Sequence, residues 1–180
     1  MLRLISAVVL MGIAACGTPD QPASPVMPPS RTSNSPPSPT SSAAPVVLAL
    51  SSLAEDPCQA LTHEDVVRLS VFTEGAEVPD PSGKSCQWSA RGGVVRFTAY
   101  PTADKTQDQD VQHLPAGEIE GRRAVIGEFS RSGTTSYTIL VTTSPGRSFR
   151  ILIVSSADPP EPDTLAVGKD FAAAVLRRLG

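Results

Sequence analysis

The chain is short of most of what catalysis and nucleic-acid binding draw on. Its 180 residues include two histidines, three cysteines and one tryptophan, and aromatic residues make up 4%. So few aromatics argue against a wide aromatic platform for sugars. The net charge is -3, and the acidic and basic residues are interspersed. No basic stripe is present, so nucleic acid is not an expected partner. No apolar run reaches the roughly 20 residues a helix needs to span a bilayer. The longest, Leu4 to Gly12, is less than half that length.

What is present begins at the N-terminus. Met1 to Arg3 supplies a small positive region, Leu4 to Gly12 an apolar stretch, and Ile13-Ala14-Ala15 a run into Cys16. This is the three-part layout of a secretory signal peptide. A large aliphatic residue, two small ones and a cysteine resemble a bacterial lipobox. The resemblance implies that Cys16 is acylated and becomes the first residue of the mature protein. Two acyl chains hold stably where one holds weakly, at about 0.8 kcal/mol per buried methylene. The expected location is therefore the cell membrane, lipid-anchored on its extracytoplasmic face.

Acylation of Cys16 leaves Cys58 and Cys86. In an exported protein an even pair reads as a disulfide. The alternatives are a metal site or a catalytic thiol, and two cysteines without a nearby pair of histidines make a poor zinc site. Closing this loop stabilises the fold by about 3.5 kcal/mol on the chain-entropy account.

Three regions follow: a signal peptide over 1–15, a lipidated cysteine and tether over 16–55, and one α+β domain over 56–180. Residues from Gly17 to Ala44 are dense in proline, serine and threonine, with Pro36-Pro37-Ser38-Pro39 as the clearest stretch. Such a segment buries too little surface to offset its ordering entropy. At about 3 Å per residue in polyproline geometry it spans many tens of Å. Val46 to Leu50 reads either as an edge strand or as part of the tether.

Thr62, with Asp65 three residues on and Leu61 and Val66 as a staple, marks a helix start. That helix runs to about Leu69, and a loop covers Gly75 to Gly83. Five strands are predicted: Cys86–Ala90, Val94–Tyr100, Arg122–Phe129, Tyr137–Thr143 and Phe149–Ser155. Arg91-Gly92-Gly93 joins the first two, and Ser144-Pro145-Gly146-Arg147 gives a type II turn between the last two. Ala103 to Leu114 is polar and reads as a loop or a short helix. Pro162-Asp163 opens a C-terminal helix whose Leu165, Phe171, Ala172, Val175 and Leu179 form one apolar stripe. The expected fold is α+β: an antiparallel sheet of about five strands, with a short N-terminal helix and the C-terminal helix on one face.

Asp56-Pro57-Cys58, then Leu61-Thr62 opening a helix, then Cys86-x-Trp88 on a strand, resemble the actinobacterial lipoprotein family that carries the domain of unknown function 3558. The likeness covers Asp56 to Leu179. Many members carry a second cysteine pair joining a later strand to the last helix, which this chain lacks. The family implies a fold and a location but no common activity.

The candidates for chemistry are few. His63 sits at a solvated helix start and His113 in a polar stretch. Asp104, Asp108 and Asp110 form an acidic group without the glycine-centred loop or terminal glutamate of a calcium site. Glu118 and Glu120 are placed to share a strand face, but paired carboxylates need burial to act as acid and base. Gly92-Gly93 opens no helix and implies no phosphate loop. Trp88 is expected to pack on the disulfide. No catalytic residue, metal or cofactor is expected. The expectation is a non-enzymatic binding domain whose partner is an envelope protein or a small ligand. The alternatives are an accessory subunit of an envelope complex and a hydrolase with a carboxylate or serine site.

Overall fold

A computed structural model describes residues 46–155 and 163–180. The signal region, Cys16, the tether from Gly17 to Ala44 and Pro162 lie outside the described residues. Seven strands form one antiparallel sheet: β1 (Ala76–Asp80), β2 (Gly83–Ala90), β3 (Gly93–Tyr100), β4 (Ala116–Ile119), β5 (Arg122–Arg131), β6 (Thr134–Ser144) and β7 (Arg147–Ser155). The spatial order is β1-β2-β3-β7-β6-β5-β4. Two meanders, β1 to β3 and β4 to β7, are thus joined where β3 pairs with β7, from Gly93 opposite Ser155 to Tyr100 opposite Ser148.

The fold class is α+β as expected, but the sheet has seven strands rather than about five. Both additional strands are at the edges. β1 lies within the expected 75–83 loop and carries Pro79, which an edge strand tolerates because no ladder needs its missing N–H. β4 has four residues, of which only Ile119 is buried. Neither buries enough to show an apolar alternation.

The folded unit also starts earlier than Asp56. A helix α1 (Leu50–Glu55) buries Leu50 and Leu53 and packs against β2 and β3. Val46 to Leu50 is therefore not an edge strand. The Leu48 N–H donates to the Arg178 carbonyl (2.7 Å), and the Arg178 guanidinium donates to the Val46 carbonyl (3.1 Å). A 3-10 turn at Pro57–Ala60 leads to α2 (His63–Arg68), whose N-terminus has both halves of a capping box between Thr62 and Asp65. Burial raises the Asp65 pKa, but hydrogen bonds from Arg68 and Thr62 outweigh that, and it is held below the usual range.

The last helix, α3 (Thr164–Leu179), lies on β6 and β7. Its stripe of Phe171, Ala172 and Val175 is buried as the spacing predicts, with Leu165 and Leu179 packed at its margin. The described α-helices contribute to one core layer on one sheet face. Phe97 and Phe149 tilt against each other across β3 and β7 with ring centres 5.8 Å apart. Each fully buried side chain of this size contributes about 1.5–3 kcal/mol.

Cys58, in the 3-10 turn, is joined to Cys86 on β2, with Cα atoms 5.0 Å apart. Trp88 lies on the same strand face, 2% exposed, with its ring 6.2 Å from Phe171. Gly75 presses against both: a Cβ there would stand 2.6 Å from the Cys86 Sγ and 2.6 Å from the Trp88 ring nitrogen. Neither neighbour is the loose end of a flexible chain. Gly75→Ala should therefore destabilise the domain by about 1–3 kcal/mol through overpacking. Urea unfolding followed by Trp88 fluorescence measures it, with the same change expected in the midpoint by circular dichroism.

The opposite sheet face is more polar. Ser85 and Thr98 share a buried hydroxyl hydrogen bond of 2.7 Å, and Arg150 donates to Thr98 (3.3 Å) and pairs with Asp80. Over one end of this face lies the 103–114 segment, which is loop apart from a 3-10 turn at Lys105–Gln107. Its Ala103, Val111 and Leu114 cover Tyr100, Val125 and Leu140. Hydroxyls strap it down: Ser148 donates to the Ala103 carbonyl (3.0 Å) and accepts from the Lys105 N–H (2.9 Å).

The Asp80 side chain is 2% exposed. Burial pushes its pKa up, the Ser82 backbone N–H and the Arg150 charge pull it down further, and the net is a lowered value. A carboxylate of this kind adds stability at pH values above its unfolded pKa of about 3.9. That contribution is lost as pH falls through the folded value. Asp80→Asn should cost about 2 kcal/mol at pH 7, the scale of a charge-assisted hydrogen bond. The gap from wild type should narrow below about pH 4. Thermal unfolding from pH 3 to pH 7 checks both parts.

Candidate functional site

The structure disperses the residues that the sequence put forward for chemistry. His63 and His113 are both exposed and lie on separate segments. Asp104 acts as a cap: its carboxylate accepts from the Thr106 N–H and hydroxyl and from the Thr142 hydroxyl. Asp108 pairs with Lys105 at 2.9 Å, and Asp110 is exposed. Among the described residues no group of three or more His, Cys, Asp or Glu side chains is placed to hold a metal ion. Glu118 and Glu120 do not share a strand face. β4 ends at Ile119, and Glu120-Gly121 form a two-residue turn with φ of 49° and 70°, the signature of a type I′ hairpin. Gly92 likewise serves a hairpin turn, between β2 and β3.

Among the recesses that the described residues form, three differ in how their charges are held. A recess of about 370 Å³ beside the start of α3 contains Arg91 and Asp163, which pair at 3.0 Å. A groove of about 300 Å³ on the polar sheet face contains Arg150 and Lys105, already paired with Asp80 and Asp108. In both, the basic groups named are held by acidic partners.

The third is a cleft of about 420 Å³ at one end of the sheet, within the range of small-molecule sites. Four pieces of chain meet there. Leu48, Ala49 and Leu50 run in from the tether side. Leu176, Arg177, Leu179 and Gly180 come from the end of α3. The β4–β5 turn brings Glu120 and Arg122, and the β6–β7 turn brings Thr143, Ser144 and Arg147. Leu50 and Leu176 are nearly buried and form an apolar base, with Leu48 and Leu179 half-buried beside them.

The rim holds three guanidinium groups against one side-chain carboxylate, that of Glu120. Arg177 is shared, 3.7 Å from Glu120 and 3.9 Å from Asp65, both long contacts between partly exposed groups. Among the described residues Arg122 and Arg147 form no ion pair. A chain of net charge -3 thus concentrates unspent positive charge beside half-buried apolar surface. The sequence carried no signal for this site. Its residues are contributed a few at a time by four segments spread over some 130 positions, and only the fold brings them together.

Among the described residues no helix is long and apolar enough to cross a membrane. No curated protein and no solved structure matches the chain. One family model does match, over residues 11–178, nearly the whole length and including the disulfide, the capped α2 and α3. The chain therefore belongs to the family described as protein of unknown function (DUF3558).

Proposed function

We propose that this protein is a lipid-anchored lipoprotein of an actinobacterial-type envelope whose extracytoplasmic domain binds a small ligand in the cleft at the tether end. The observation that carries the binding half is the combination of an apolar base with unpaired Arg122 and Arg147 on the rim. Paired arginines would be structural, and unpaired ones beside half-buried leucines favour a bound partner. The anchoring half rests on Ile13-Ala14-Ala15-Cys16 after a short apolar segment. A single disulfide in the domain suits an oxidising location.

A binding role is favoured over catalysis by the behaviour of the carboxylates. Asp65 and Asp80 are both held below the ordinary range and are engaged in capping and ion pairing, where a proton-transfer group is instead tuned toward neutral pH. An accessory-subunit role has its own support in Val67 and Phe72, which stand 68% and 71% exposed at and just after the end of α2.

Two linked measurements test the reading. Cys16→Ser should move the protein from the membrane to the aqueous fraction or leave it unprocessed. Continued membrane partitioning with attached acyl chains would refute the anchor. Native mass spectrometry of protein extracted from its own membrane should show a small-molecule adduct on the wild-type domain. Ser144→Trp, which fills the cleft, should abolish it. No adduct on the wild type, or an equal adduct on the variant, would refute binding at this site. Capture of a stoichiometric protein partner that Phe72→Ser releases would support the accessory role instead.

A further inference from the structure

Resting on the reading of the cleft as a ligand site, we infer that its ligand is an anionic amphiphile: one apolar tail carrying a phosphate or carboxylate head. The lining is divided in the way such a molecule is divided. The leucines of the base and of α3, Leu48, Leu176 and Leu179, offer apolar surface and no hydrogen-bonding atom. The charged donors are Arg122, Arg147 and Arg177, with the hydroxyls of Thr143 and Ser144 beside them.

A guanidinium presents a planar fork of donors that fits a carboxylate or a phosphate with two bonds at once. Arg122 and Arg147 project from turns of adjacent hairpins and have no carboxylate of their own to satisfy. The one side-chain carboxylate on the rim, Glu120, is 55% exposed and already faces Arg177. It does not neutralise the other two. A neutral apolar ligand would leave both arginines with nothing but water. A free inorganic anion would leave the leucines uncovered. A cationic amphiphile would meet three like charges.

Size narrows the class further. A space of about 420 Å³ holds a molecule of ordinary small-ligand dimensions. A single tail is therefore matched, and a bulky multi-chain lipid is not. The cleft also lies where residues 46–48 are tied to α3 through Arg178. A tail lying along Leu48 and Leu179 bridges those two pieces of chain.

Calorimetric titration of the folded full chain carrying Cys16→Ser tests this, with dodecyl phosphate, dodecyltrimethylammonium and inorganic phosphate as probes, each below the micelle-forming concentration. Dodecyl phosphate should bind one to one, about tenfold or more tighter than the cationic amphiphile of the same tail. Inorganic phosphate should show no measurable heat and no competition. The Arg122→Gln and Arg147→Gln double variant should lose about tenfold or more in affinity for dodecyl phosphate, since each guanidinium contributes a charge-assisted hydrogen bond. Both positions are exposed and unpaired, so its melting temperature should match the parent. Leu179→Ser should weaken the tail contribution while leaving the preference for the anionic head.

Equal binding of the two dodecyl probes, or an unchanged affinity in the double arginine variant, would overturn the anionic class and leave the cleft as a binding site. Inorganic phosphate binding as tightly as dodecyl phosphate would overturn the amphiphile and leave an anion site. If no dodecyl probe binds while the native adduct is still lost in Ser144→Trp, the ligand class is wrong and the site stands. If that adduct is also missing, the binding reading fails with it.

Discussion

Everything in this domain hangs on the pairing of β3 with β7. It is the one ladder between the β1–β3 meander and the β4–β7 meander, and it runs through eight residues of each strand. Its cost is entropic, because residues some fifty to sixty positions apart must be brought side by side before any contact rewards the closure. Its return is the centre of the core. Val95, Phe97, Ala99, Phe149, Ile151 and Ile153 lie on the same face across this seam and are all buried. α1 reaches the seam from the β3 side and α3 from the β7 side. The disulfide then fixes the turn before α2 to β2, one strand away from the seam.

The same seam explains the two unlike sheet faces. With the helices all on one side, the other side must manage without a layer of its own. It does so partly with a polar row, Ser85, Thr98, Arg150 and Asp80, whose groups bond one another, although the buried Arg150 Nε has no partner among the described residues. The rest is covered by the 103–114 segment that connects the meanders. That segment reads as polar in the sequence because its hydroxyls and carboxylates bind it to β6 and β7, through Asp104 to Thr142 and through Ser148.

What was legible follows from this division of labour. The five long strands alternate between a buried apolar face and a polar one, and α3 carries an apolar stripe at helical spacing, so both showed in the sequence. The Thr62–Asp65 cap and the shared face of Cys86 and Trp88 were legible for the same reason: each depends on residues close in sequence. β1 and β4 escaped because an edge strand that buries one or two side chains leaves no alternation, and Pro79 argued against a strand. α1 escaped because six residues, Leu-Ser-Ser-Leu-Ala-Glu, follow a proline-rich tether with no side-chain cap to announce them. The cleft is an extreme case. Arg122, Arg147 and Arg177 have no common spacing, and their proximity is a property of strand order alone.

The central claim is that the working surface of this protein is the end of the sheet where the tether side, the α3 terminus and two hairpin turns converge. Backbone amide chemical shifts of the chain carrying Cys16→Ser, followed during titration with dodecyl phosphate, test it most directly. The account predicts saturable changes confined to Leu48 to Leu50, Glu120 to Arg122, Thr143 to Arg147 and Leu176 to Gly180. Changes centred instead on the polar sheet face around Lys105 and Arg150, or an unaltered spectrum at saturating probe, would contradict it.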